Sequence, residues 1–204
     1  MVDYTLSVTV EDVESVTGYN LCLLKAMQAA DSDNDIYNVV FESSGPNDKI
    51  VFNWTDEYKI CCSPNRFKNA ETVQATTGKL AISFKQRFSI MGGWDTTTVE
   101  DDDKIEAESF EFRSGVLGAS AIVSLRSSEG SSPFFQSPNP LLRGTTESFT
   151  PKDKYKVLWS KKHKAGRMVG SESEDGFEID FTGKRSCQVV FTKDQSWNIV
   201  AYDS

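Results

Sequence analysis

Apolar and polar residues alternate with period two along most of this chain, and that pattern limits it to extended structure. Thr5 to Val10 sets Leu6, Val8 and Val10 against Thr5, Ser7 and Thr9, and Ile50 to Thr55 sets Ile50, Phe52 and Trp54 against Val51, Asn53 and Thr55. Lys79 to Ile90 alternates Leu80, Ile82 and Phe84 with polar neighbours. Lys104 to Phe112 alternates and then shifts phase, the mark of a bulge. Further runs cover Ala121 to Leu125, Tyr155 to Trp159, Gly176 to Phe181, Gln188 to Thr192 and Trp197 to Tyr202. Turn signals such as Gly45-Pro46-Asn47-Asp48, Gly92-Gly93 and Thr182-Gly183 separate them. About a dozen short strands so spaced predict an all-β fold, a single antiparallel β-sandwich or flattened barrel with little helix.

Asn20 to Ala30 is the one helix candidate, with Asn20 able to cap and three alanines to favour it. The same residues also open as a strand, and their types favour a strand followed by a short turn or helix. Residues 127–144 hold five serines and three prolines, which predicts a long loop rather than a central strand. Within it, Phe134 and Phe135 are either tucked under the loop or exposed as a partner or membrane contact. No linker interrupts the 204 residues, so one domain is expected over 1–204.

Charge narrows the functions. Thirty acidic residues against 22 basic ones give a net charge of −8, which argues against nucleic acid as a partner. The basic cluster at 161–164, KKHK with Arg167 nearby, reads as a solvated hairpin end. No apolar run is long enough to span a bilayer as a helix. MVDYTLSVTV has neither the basic nor the apolar region of a secretory signal, which predicts a cytoplasmic or intracellular protein. Asn53-Trp54-Thr55 is a glycosylation sequon that would matter only in a secreted protein. Cys22, Cys61, Cys62 and Cys187 are too sparse for a disulfide scaffold. Cys61 and Cys62 are adjacent in a strand, point to opposite faces, and are expected as unbridged thiols.

Asp31, Asp33, Asp35 and Glu42 occupy positions 1, 3, 5 and 12 of a calcium loop. However, Ile36 stands where that loop requires glycine, and the following IYNVVF favours a strand over a helix. The segment is therefore an acidic loop entering a strand, and no metal site is expected. Asp101, Asp102 and Asp103 form a second acidic run, read as solvated. His163 is the one histidine, and a Cys–His pair using Cys61 or Cys62 is formally open to it, with nothing local to support it. No nucleophile elbow, Walker loop or dinucleotide fingerprint occurs, so no catalytic residue is assigned.

Aromatic residues make up 11% of the chain and are the richest remaining signal. An aromatic at a turn or strand end is a better ligand wall than one inside a strand, since pockets pair apolar walls with few polar groups. Trp54 and Tyr58 flank the acidic kink Asp56-Glu57, and Trp94 follows Met91-Gly92-Gly93 at a turn. Trp54, Tyr58, Met91 and Trp94 are thus the expected ligand-binding residues. Trp159 and Trp197 are expected in the core, the latter because Trp197, Ile199 and Ala201 share one face.

The run GYNLCLLKAM, YNVVFES, IVFNWTDEYKICCS resembles small β-sandwich proteins of mushroom fruit bodies. That group includes lectins, cytolysin-like proteins and a pink oyster-mushroom chromoprotein with an indolone-type pigment. The resemblance covers about the first 65 residues and lies in strand rhythm rather than in a site motif. It implies a fungal, non-catalytic protein holding a flat apolar or aromatic ligand, with an indole-type chromophore, bound covalently or not, as the implied cofactor. Carbohydrate or lipid binding is the alternative, and an enzyme with an unrecognised site a second one. The chain departs from the group in lacking a lectin sugar-site signature and an amphipathic N-terminal helix.

Overall fold

The computed structural model describes residues 2–30, 34–128 and 130–203, apart from the side chains of 171 and 172. Fourteen strands lie among the described residues, and the only helical pieces there are two short 3-10 turns. The strands form two open sheets packed as a sandwich. In the first sheet, β10 (Gly130–Gln136), β9 (Ser120–Ser127), β4 (Lys49–Ser63), β1 (Asp3–Val10), β13 (Ser186–Phe191) and β14 (Trp197–Asp203) lie in that order, and β5 (Leu80–Ile82) also pairs with β4. In the second, the order is β3 (Val40–Ser44), β2 (Asn20–Ala29), β11 (Thr146–Ser160), β8 (Phe110–Ser114), β6 (Gln86–Ile90) and β7 (Thr97–Asp101), with β12 (Phe177–Asp180) added to β11.

The all-β sandwich matches the expectation, but the sheets are mixed rather than purely antiparallel. β1 runs parallel to β13, and β6 runs parallel to β8. Both sheets end in edge strands, so there is no barrel. Asn20–Ala29 is strand throughout, and the helix alternative fails there. Its inward side chains Leu21, Leu23 and Met27 join the main core, while Cys22, Leu24 and Ala26 are covered on the outer face by Tyr37, Val40 and Val169. Coverage of both faces explains why LCLLKAM is apolar without alternation.

The core runs from Leu6 to Phe191 and takes up most of the aromatic content. Phe41, Phe88, Phe110, Phe112, Phe134, Phe135, Phe149 and Phe181 are all essentially inaccessible, so phenylalanine abundance reports packing rather than ligand binding. Each such burial is worth roughly 1.5–3 kcal/mol.

The serine- and proline-rich segment is not a long loop. Gly130–Gln136 is the edge strand of the first sheet, a position where a proline's missing N–H breaks no ladder bond. The pairing with β9 slips between Pro133 and Phe135, so the extra residue lets two consecutive rings turn inward. Phe134 and Phe135 are therefore core residues, and their reading as a partner or membrane contact is overturned. Among the described residues, no helix is long and apolar enough to cross a membrane.

Candidate functional site

β4 and β11, both fifteen residues long, each change neighbour at mid-length. On one side of β4, pairing with β1 ends at Thr55–Asp3 and pairing with β5 begins at Tyr58–Ile82. On one side of β11, pairing with β8 ends at Phe149–Phe110 and pairing with β12 begins at Lys154–Asp180. Across from these changes, the β4–β9 ladder slips between Thr55 and Tyr58, and the β11–β2 ladder between Pro151 and Tyr155. Bulges re-aim side chains and free backbone from the ladder. Here they release Asp56 and Glu57 from one sheet and Lys152 and Asp153 from the other.

A cleft of about 250 Å³ opens at this level. Its lining includes Tyr4 of β1, Phe84 beyond β5, Glu108 ahead of β8 and Thr182 beyond β12, together with Asp56 and Asp153 of the bulges. The ends of four short strands thus meet the middles of two long ones. A second cleft, of about 430 Å³, shares Asp56, Tyr58 and Phe84 and continues along β5 past Lys59 and Ala81. Phe84 stands between the two and is 42% exposed. It sits there because Lys79–Ile90 is not one strand: β5 belongs to the first sheet and β6 to the second, and the chain crosses over at Ser83 to Lys85. Lys85 takes the left-handed conformation, with φ of 62°. The Phe84 ring is 5.9 Å from the buried ring of Tyr58.

Behind this wall lies a buried polar cluster. Lys25, 1% exposed, donates from Nζ to Tyr155 Oη and to the Lys152 carbonyl, each at 2.8 Å. Its Nζ lies 3.5 Å from Asp153 Oδ1 and 4.5 Å from the centre of the Tyr155 ring. Burial lowers the Lys25 pKa to about 8, and the nearby carboxylates of Asp153 and Asp56 act against that fall. Tyr4 is pushed up to about 12, first by burial and then by Asp153 and Asp56. Tyr58 moves well upward for the same reasons. Both carboxylates thus act on the two phenols in the same direction as burial.

Of the four expected ligand residues, Tyr58 lines both clefts. Trp54 does not. It is 2% exposed, stacks on Tyr4 at 5.7 Å and donates from Nε1 to Tyr155, so it is a core side chain one layer behind the cleft wall. Its inward place follows from the same alternation that buries Ile50 and Phe52. Met91 and Trp94 belong to the connection between β6 and β7 and line neither cleft; Met91 is exposed and Trp94 packs on the margin of the core. Tyr4, Phe84, Glu108 and Asp153 were missed. The alternation of Lys79–Ile90 runs on through Phe84 and Lys85 and so gave no signal of them.

The expected core tryptophans Trp159 and Trp197 instead line a third cleft, of about 360 Å³, with Tyr19, Lys161, Lys162 and Asp175. The β13–β14 ladder slips between Gln188 and Val189, so Tyr202 rather than Ala201 lies opposite buried Cys187. Trp197 itself starts the edge strand β14 opposite Phe191 and is only half-buried.

The basic segment is also corrected. His163 is not exposed but 1% accessible, and its carbonyl accepts from Asn20 Nδ2 and lies 3.6 Å from Cys22 Sγ. All four cysteines are free and buried. Cys61 and Cys62 do point to opposite faces, with Sγ near the Ile122 carbonyl and the Thr77 hydroxyl respectively, but both faces are covered. Burial raises both thiols to about 11, the opposite of an activated nucleophile.

In the acidic loop, Asp31 and Asp33 lie outside the described residues, Asp35 pairs with Lys154 at 2.8 Å, and Glu42 lies in β3. Asp102 is held by Arg87 at 2.7 Å, and the same guanidinium reaches Glu111. Asn53 is exposed on β4, where its Oδ1 accepts from the Thr5 hydroxyl. Among the described residues, no three His, Cys, Asp or Glu side chains converge as a metal-binding set. No protein-family model, curated protein or solved structure matches this chain.

Proposed function

We propose that this chain is a non-catalytic binding protein that holds a flat, largely apolar ligand against Phe84 and Tyr58. The observation that carries the reading is the exposed Phe84 ring, set 5.9 Å from Tyr58 at the junction of two clefts. An apolar ring kept in water at a concave site favours a ligand that covers it. The resemblance to mushroom fruit-body proteins adds a pigment as the kind of ligand, and a co-purifying visible chromophore in protein from its natural source would establish that version.

Titration with 2-naphthylmethanol, followed by equilibrium dialysis, tests the site. Saturable binding that weakens about tenfold in Phe84→Ala, a loss in the range expected for a buried aromatic contact, supports it. Equal binding by Phe84→Ala and the parent removes it.

A second reading has its own observation. Trp159 and Trp197 are half-exposed in one cleft, an arrangement suited to stacking against a sugar ring. A glycan array whose signals vanish in Trp197→Ala would favour carbohydrate binding there.

A further inference from the structure

We infer that the ligand of the Tyr58–Phe84 cleft is a cation, a flat ring system bearing a primary or quaternary ammonium group. This inference rests on the proposed binding function and names the chemistry of what is bound.

Three aromatic rings, those of Tyr4, Tyr58 and Phe84, line the smaller cleft together with three carboxylates, Asp56, Glu108 and Asp153. Lys152 is the one basic residue in that lining. Aromatic faces attract cations through their quadrupole, and carboxylates attract them directly. The carboxylates retain free acceptor capacity. Asp56 spends Oδ1 on the Val2 N–H at 2.8 Å, Asp153 meets Lys25 only at 3.5 Å, and Glu108 is exposed with no ion pair among the described residues. Glu57, by contrast, is committed to Arg126 at 2.8 Å and adds nothing.

The fold contains an internal version of the same recognition. The Lys25 ammonium lies over the Tyr155 ring and beside Asp153, one layer below the cleft. A primary amine is thus already held in this neighbourhood, by the Tyr155 hydroxyl and the Lys152 carbonyl at 2.8 Å each, with the Tyr155 ring and the Asp153 carboxylate beside it. The cleft above sets the exposed Phe84 ring, with the less accessible rings of Tyr4 and Tyr58, beside Asp56, Glu108 and Asp153. A ligand anion would meet three carboxylates there and be repelled.

Three isosteric probes separate shape from charge: 2-naphthylmethylamine, which is an ammonium at pH 7, the neutral 2-naphthylmethanol, and the anionic 2-naphthoate. Equilibrium dialysis at low salt should rank them in that order, with the ammonium about tenfold tighter than the alcohol, a size set by one cation–aromatic contact plus exposed ion pairs. The preference should shrink as salt is raised. The double variant Asp56→Asn, Glu108→Gln should bring the ammonium within about threefold of the alcohol, since both changes nearly keep shape and remove two negative charges. Circular dichroism checks that the variant is folded.

If the alcohol binds and the ammonium is no tighter, the charge inference is overturned and the binding function stands. If the ammonium is preferred equally by parent and double variant, these carboxylates do not select it and the inference is again overturned. If none of the three probes binds, the proposed function itself fails.

Discussion

The indole N–H of Trp54 donates to the hydroxyl of Tyr155 at 2.7 Å, joining β4 of one sheet to β11 of the other through the middle of the sandwich. The same hydroxyl accepts from Lys25. One phenol oxygen therefore satisfies two buried donors, and no water needs to enter.

Tyr155→Phe removes that oxygen while keeping the ring. The Trp54 N–H and one N–H of Lys25 would then be buried without an acceptor, at a cost of about 1–3 kcal/mol for each. Chemical denaturation should show a loss of about 2–6 kcal/mol, well above what a surface tyrosine would give. A loss below the error of the measurement would mean that the pair contributes nothing.

Tryptophan truncations should rank by depth. Trp54→Ala is expected to cost about 3–5 kcal/mol, as a fully buried aromatic does. Trp197→Ala should cost clearly less, because that ring is half-buried on an edge strand, although it meets the rings of Phe177 and Phe191. Equal midpoints for the two variants would show that Trp197 is a core residue after all.

Lys25 gives a pH dependence with a definite sign. Its folded pKa is about 8 against the 10.5 of an ordinary lysine, so the unfolded chain holds the proton more tightly. Burial therefore penalises folding in full below pH 8, and the penalty fades as pH rises toward 10.5. Relative to Lys25→Met, the parent should gain stability across that window, on the order of 3 kcal/mol at most. The difference between the two proteins is the quantity to measure. The cysteines, raised by burial, weaken both proteins above pH 9 and cancel. A flat difference from pH 7 to 10 would show that Lys25 titrates normally.

The thiols should be inert in the native protein. Cys22 is pushed up to about 12 and Cys61, Cys62 and Cys187 to about 11, in each case chiefly by burial. With a thiol disulfide reagent at pH 8, the folded chain should react slowly and the denatured chain should release all four groups at once. Rapid native labelling of Cys61 or Cys62 would revive the enzyme alternative.

How legible was this in the residues? The strands were, because one covered face and one wet face leave a period of two in Leu6–Val10 and Ile50–Trp54. Alternation cannot reveal which sheet a strand joins. Lys79–Ile90 keeps its period through a crossover, so the turn that exposes Phe84 passed for mid-strand. Bulges hid as well, since an extra residue at Phe134 looks like broken alternation and the flanking prolines suggested a loop. Lys25 was invisible as a site residue because its partners lie far along the chain, at Lys152 to Tyr155. The place of Tyr58 at the edge of two clefts was legible because an acidic kink beside an aromatic is a local signal. Trp54 was misplaced by the same kink, although its own alternation put it inside.

The change of neighbours along β4 and β11 also bears on how this molecule comes apart. Each long strand is shared between two shorter ones, so neither half of a sheet owns it. Opening the β1 half frees residues 49–55 of the same strand whose residues 58–60 pair with β5, and β11 is divided in the same way between β8 and β12. The two halves should melt as one cooperative unit, with backbone amides on either side of the bulges exchanging with deuterium through the same global opening. Widely different exchange rates for 49–55 and 58–63 would show two separable halves joined only by a hinge.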